Sequence, residues 1–277
     1  MMRIDRERVK RNFAAYTDCY NARDAKIKLK IDHTYRVAAI SEDIAVSLGL
    51  PASDVDLAWL AGMLHDIGRF EQLRRFGTFV DADSIDHAQF AVELLFQEGL
   101  LKEYCDVDDI FSNKSADSND CSALPGLRKE ADILCVAIGS HSAYRIEDGL
   151  DERTVMFCNI LRDADKVDIF RVICDSDLED VYGFTAQQLL QSGITPEVEQ
   201  AFMEHHAVLR SLKKQPADYV VAMGALAFEL VYPRSRQIAR EQGYLEGLMD
   251  IASENPETEG ALARMRQSML EYMGLEK

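Results

Sequence analysis

The chain is short of positive charge. Its 31 Lys and Arg stand against 48 Asp and Glu, a formal charge of −17. Polyanion binding depends on Lys and Arg neutralising phosphates, so this balance argues against nucleic acid and anionic membranes as partners. Small anions remain admissible where a local basic cluster overrides the global field. Cysteine is equally unhelpful as a framework. Cys19, Cys105, Cys121, Cys135, Cys158 and Cys174 are scattered with no CxxC spacing, which reads as reduced thiols rather than disulfides or a thiolate zinc site. No apolar run approaches the roughly 18 residues of a membrane span. The opening MMRIDRERVKRNFAAY has no apolar core of a secretory signal, and a cytoplasmic location is expected. Alternating strand patterns and internal repeats are absent as well.

Helical periodicity fills the space these absences leave. From Asp32, DHTYRVAAISEDIAVSLGL sets Val37, Ile40, Ile44 and Leu48 at three- and four-residue steps and closes on Gly49 and Pro51. Ser53 reads as the N-cap of DVDLAWLAGMLHDIG, with Leu57, Leu60, Leu64 and Ile67 on one stripe and Gly68 as its stop. A third helix is expected over about 84–101, and the polar stretch 106–126 reads as a long surface loop. Helical pattern resumes near Arg128 through ADILCVAIGSHSAY, and Asp151 opens ERTVMFCNILRDADKVDIFRVI. Beyond residue 175 at least four more helical segments are punctuated by Gly193, Pro196, Pro216, Pro233 and Pro256. The expectation is one all-α domain spanning 1–277.

Against this apolar background the polar residues that stand out are histidines and aspartates. Four of the six histidines, His33, His65, His87 and His141, fall near the ends of the expected core helices, and Asp66 follows His65 directly in LHDIGRF. Asp163 and Asp165 lie within the apolar fifth helix, in LRDADKVD. Burying such groups costs free energy unless they are paired or bound to a metal. Helices converging on one point would unite them, as metal sites in helical folds do. Neutral imidazoles and carboxylates suit iron, manganese, zinc and related divalent ions. A carboxylate can bridge two ions through its two oxygens and an imidazole cannot, so Asp66 is the natural bridge. His205 and His206 read instead as the polar edge of a surface helix.

These residues resemble the HD-domain superfamily of metal-dependent phosphohydrolases: a histidine, a later His-Asp doublet and a distal aspartate, each on a different helix. Here they are His33, His65 with Asp66, and the aspartate of RDADKVD. The family's Ala-Asp pair followed by a basic residue favours Asp165 over Asp163, although helical facing leaves that choice open. The resemblance covers about 29–175 and implies an HD-like helical bundle with a C-terminal helical extension over about 176–277. His87 and His141 match the two further histidines of members with a dinuclear H…HD…H…H…D set. The resemblance then implies one ion on His33, His65, Asp66 and Asp165 and a second on Asp66, His87 and His141. With no GYP tripeptide and no adjacent His-His at His141, the chain departs from typical cyclic-di-GMP phosphodiesterases.

The implied chemistry is hydrolysis of a phosphate ester or anhydride by a metal-activated water, on a small nucleotide or other phosphorylated metabolite. One or two divalent ions are expected, among Fe, Mn, Zn, Ni and Mg. Arg69, Arg74 and Arg75 follow the doublet, Arg145 lies one turn beyond His141, and Lys166 follows Asp165. These are the candidate phosphate contacts, with Arg69, next to the doublet, foremost. With Asp66, Arg69 is also the candidate catalytic residue. Two alternatives share the scaffold: a di-iron oxygenase, and a non-catalytic nucleotide-sensing module.

Overall fold

A computed structural model describes residues 2–21, 23–106 and 130–274. The expected loop 106–126 thus lies, but for its first residue, outside the described residues. Backbone packing divides the chain into two compact units, 1–165 and 166–277, and the boundary falls inside a long helix.

In the first unit a two-residue strand, β1 (Arg3–Ile4), leads into α1 (Arg6–Thr17), capped by the Asp5 carboxylate on the amides of Glu7 and Arg8. The long helix α2 spans Ala25–Ser47 and is capped by Asp24. It therefore begins well before Asp32, and His33 sits within it rather than at its start. Val37, Ala38, Ile44 and Ala45 are fully buried along one stripe of α2. The next helix, α3 (Ala52–Leu64), starts at Pro51 with no side-chain cap, so Ser53 does not serve as one. From Leu57 to Leu64 every residue of α3 is buried, the mark of a central helix.

Glycine sets two close approaches. A Cβ on Gly62 would lie 2.5 Å from the Ala38 Cα, so α2 and α3 meet backbone to backbone. Gly68 does not stop a helix. It lies in the first turn of α4 (Ile67–Phe76), where an added Cβ would come 2.7 Å from the His87 carbonyl and 3.0 Å from the Ala91 amide. Its size lets α4 rest on α5 (His87–Val92). The helix expected over 84–101 is shorter and interrupted: α5 passes into a π-helical turn, Glu93–Gln97, before α6 (Leu101–Tyr104). Then β2 (Cys105–Asp106) pairs antiparallel with β1. Two helices complete the unit's framework, α7 (Glu130–Ser140) and α8 (Glu152–Asp175). Asp151 accepts the Thr154 amide at the start of α8, and Arg153 bridges to Asp54 on α3 at 2.7 Å.

Beyond α8 the second unit holds α9 (Leu178–Tyr182), α10 (Ala186–Leu190), α11 (Pro196–Met203), α12 (Pro216–Ala225), α13 (Pro233–Gln242), α14 (Tyr244–Met249) and α15 (Pro256–Met273). The prolines that punctuate the sequence occupy first helical turns, where a missing N–H costs nothing. His205 and His206 are exposed in the turn after α11. Among the described residues no helix is long and apolar enough to cross a membrane.

Candidate metal centre

Five side chains from four helical segments meet inside the first unit. His33 comes from the middle of α2, His65 and Asp66 from the junction of α3 and α4, His87 from the start of α5, and His141 from the residue after α7. None is more than 4% exposed. Asp165, on α8, joins them from the edge.

Each oxygen of Asp66 faces its own pair of histidines. Oδ2 lies 3.6 Å from Nε2 of both His33 and His65. Oδ1 lies 3.5 Å from His87 Nε2 and 3.7 Å from His141 Nε2. Asp165 Oδ1 adds to the first half, 3.1 Å from His33 Nε2 and 3.8 Å from His65 Nε2. Of the two candidates, Asp163 and Asp165, Asp165 is thus the one that reaches the histidines. Asp163 is fully buried two residues earlier, about 200° away around the helix.

Three of the four imidazoles engage their Nδ1 protons away from these oxygens. His65 Nδ1 donates to the Gly62 carbonyl at 2.8 Å, and His141 Nδ1 to the Ile138 carbonyl at 2.7 Å. His87 Nδ1 donates to Asp81 Oδ2 at 2.8 Å. A neutral imidazole with its proton on Nδ1 carries a lone pair on Nε2. Yet the Nε2 atoms of His87 and His141 stand 3.0 Å apart, and those of His65 and His33 3.3 Å. Lone pairs converging in this way on a carboxylate oxygen call for a cation among them, and the N/O donor set suits a divalent one. The residues fit the ions that the sequence implies.

The electrostatics agree. Burial pushes the His65 pKa down to about 4, against the pull of Asp66 and Asp165. Burial likewise lowers His87 to about 4, against its hydrogen bond to Asp81. Both rings are therefore neutral near pH 7. Burial alone would raise the carboxyls of Asp66 and Asp165. For Asp66, Lys30, His65, His141 and Arg69 outweigh it and hold the group well below the usual carboxylate range. For Asp165 the hydrogen bond from His33 and the pull of the neighbouring imidazoles do the same.

Three supporting residues went unnoticed in the sequence. Lys30, one turn before His33, places Nζ 2.8 Å from Asp66 Oδ2 and 5.5 Å from the centroid of the Phe79 ring. Asp81 accepts from His87, from Arg69 at 2.8 Å and from Gln72 at 2.9 Å. Asp81, Asp86 and His87 lie close enough together to suggest another cation site. Asp86, however, caps α5 through the amides of Ala88 and Gln89, and Asp81 is occupied as described. The trio is thus a brace for His87. Arg162, the third residue, holds the turn that carries His141. In the sequence only proximity hinted at any of them, since Lys30 precedes His33 and Asp81 precedes His87 by a few residues.

The predicted phosphate contacts differ in their engagement. Arg69 spends its NH1 on Gln72, the Phe79 carbonyl and Asp81. Its buried Nε has no hydrogen-bond partner and sits 3.6 Å from Asp66 Oδ1. Arg74 and Arg75 both pair with Glu71, at 2.6 and 2.5 Å. Arg145 is exposed, with its guanidinium over the Tyr144 ring. Lys166 is buried in the second unit.

An all-α scaffold enclosing a buried histidine–aspartate cluster of this arrangement defines a helical metal-site protein. Residues 31–169, half of the chain, match the family model described as HD domain, and the chain belongs to that family. The family places it in the superfamily of metal-dependent phosphohydrolases. No curated protein and no solved structure matches the chain.

Proposed function

We propose that this protein is a metal-dependent phosphohydrolase acting on a small nucleotide or another small phosphorylated metabolite. The observation that carries the reading is the division of Asp66, one oxygen toward His33 and His65 and the other toward His87 and His141, with a cation against each oxygen. His33, His65, Asp66 and Asp165 would hold one divalent ion, and Asp66, His87 and His141 a second. When bound, such ions lower the pKa of water and neutralise charge on a phosphoryl oxygen.

The chain's own residues supply the rest. His65 and His87, neutral near pH 7, present lone pairs without first losing a proton. Lys30 and the unpartnered Nε of Arg69 are the two cationic groups nearest Asp66, and they would receive the phosphoryl oxygens. An oxyanion substrate suits them better than a neutral one, which favours hydrolysis over oxygenation on this scaffold. Arg74, Arg75 and Arg145 remain candidates for the outer part of the substrate.

The test is phosphate release from a panel of nucleotides and sugar phosphates, using protein purified anaerobically and loaded with Mn(II) or Fe(II). Turnover that needs metal, persists without oxygen and vanishes in Asp66→Asn supports the reading. Substrate-dependent oxygen uptake without phosphate release would replace it with the oxygenase. Nucleotide binding without product over hours would replace it with a sensor.

A further inference from the structure

The two halves of the cluster are not equally built. The half around Asp66 Oδ2 has four protein donors, His33, His65, Asp66 and Asp165. The half around Oδ1 has three, Asp66, His87 and His141. Of these three, His141 lies outside any helix, in the first residue after α7, followed by exposed residues 142–145.

That position leaves the last carbonyls of α7 without intrahelical partners. One side chain takes the last of them, that of Ser140, together with the carbonyls of the turn beyond. Arg162, only 6% exposed, donates NH1 to the carbonyls of Ser140 at 2.9 Å, His141 at 3.4 Å and Ala143 at 2.5 Å. Its NH2 reaches the Tyr144 carbonyl at 3.4 Å. From the other side Gln89, two residues after His87, donates to the Gly139 carbonyl at 2.9 Å. The planar five-donor fork of arginine can serve several carbonyls at once, and an ammonium on a flexible stem cannot hold the same set. Arg162 also stands three residues before Asp165 on α8, one helical turn along the same face. A single turn of α8 therefore carries a donor for one half of the cluster and the fastener of a donor for the other.

We propose that Arg162 is a positioning residue that makes the second ion site, and hence the number of ions bound, depend on α8. The inference rests on the two-ion reading above. Without the guanidinium the turn after α7 loses its anchor, and His141 leaves the 3.0 Å approach to His87. Two donors, one of them shared, then remain around Asp66 Oδ1, too few to retain an ion. The four donors around Oδ2 stay in place.

The experiment is Mn(II) titration of the full chain by equilibrium dialysis and electron paramagnetic resonance. Wild type, Arg162→Lys and Arg162→Gln are compared, with helical content followed by circular dichroism. Wild type is expected to bind two ions with a spin-coupled signal. Both variants are expected to bind one ion with an uncoupled six-line signal, at unchanged helical content. Addition of guanidinium at a non-denaturing concentration to Arg162→Gln is expected to restore part of the coupled signal, which a merely structural role would not do. Two coupled ions in both variants would overturn the proposal, as would loss of both ions or of helical content in both. A wild type that binds a single ion would instead overturn the two-ion reading on which it stands.

Discussion

Lys30 Nζ lies 2.8 Å from Asp66 Oδ2, on the oxygen that faces His33 and His65. An ammonium there holds the place that a divalent ion bound by those residues would contest. Two like charges a few ångströms apart repel by about 1 kcal/mol in water and by several times that near a protein surface.

Lys30→Met is accordingly expected to bind its first Mn(II) several-fold to about tenfold more tightly than wild type, as measured by calorimetric titration. The same variant is expected to show a raised KM for a phosphorylated substrate, because it lacks one of the two cations beside Asp66. Weaker metal binding in Lys30→Met would contradict the competition.

Asp81 touches no predicted ion, yet it fixes the proton of His87 on Nδ1 and anchors Arg69. Outer partners of this kind are worth about 10–100-fold in metal affinity. Asp81→Ala should lose affinity on that scale, and the ion bound through His87 should be the one released. Metal content after dialysis against a graded chelator provides the check, and a wild-type release profile would count against this role.

Gly68→Ala puts a methyl where the His87 carbonyl and the Ala91 amide already stand. Both are backbone atoms and neither can rotate away, so α4 and α5 must separate. Overpacking of this sort costs about 1–3 kcal/mol, read as a lower Tm. His87 moves with α5, so metal retention should fall too. A variant with an unchanged Tm would show that the helices part freely.

The metal-free protein should weaken in acid. His65 and His87 titrate near pH 4 in the fold, below the ordinary histidine value of 6.5. The unfolded chain therefore takes up protons first as the pH drops, and the stability these rings contribute is present above pH 6.5 and is lost on the way to pH 4. Asp66, Asp81 and Asp165, all depressed, act in the same direction at still lower pH. Urea unfolding of the metal-free protein between pH 8 and pH 4 should show a midpoint that falls with pH, steepest below 6.5. A midpoint that rises on acidification would contradict the neutral state of these rings.

Much of the centre was legible because each donor adjoins an apolar periodic segment. Burial could be inferred for His65 from AWLAGML and for His141 from ADILCVAIG, and buried polar groups need partners. Element boundaries were less legible. α2 begins among polar residues, NARDAKIKLK, where hydrophobic spacing carries no signal and only the Asp24 cap marks the start. Gly68 looked like a terminator because its true constraint, the backbone of α5, lies some twenty residues further along the chain. Lys30, Asp81 and Arg162 carried no signal beyond their nearness in sequence to His33, His87 and Asp165. Each acts on a partner that local periodicity does not connect to it, and Arg162 recognises carbonyls, which have no sequence signature at all.

The Nδ1 hydrogen bonds of His65, His87 and His141 have a consequence for the course of metal uptake. The tautomer of each ring is chosen by Gly62, Asp81 or Ile138, none of which is a donor to an ion, so that choice is made when the chain folds. With His65 and His87 already neutral and the carboxylates already ionised, an arriving ion near pH 7 displaces no proton from these groups. These groups then add no dependence on buffer ionisation enthalpy to the heat of binding, so any such dependence would report a proton released elsewhere, above all from water held by the ions.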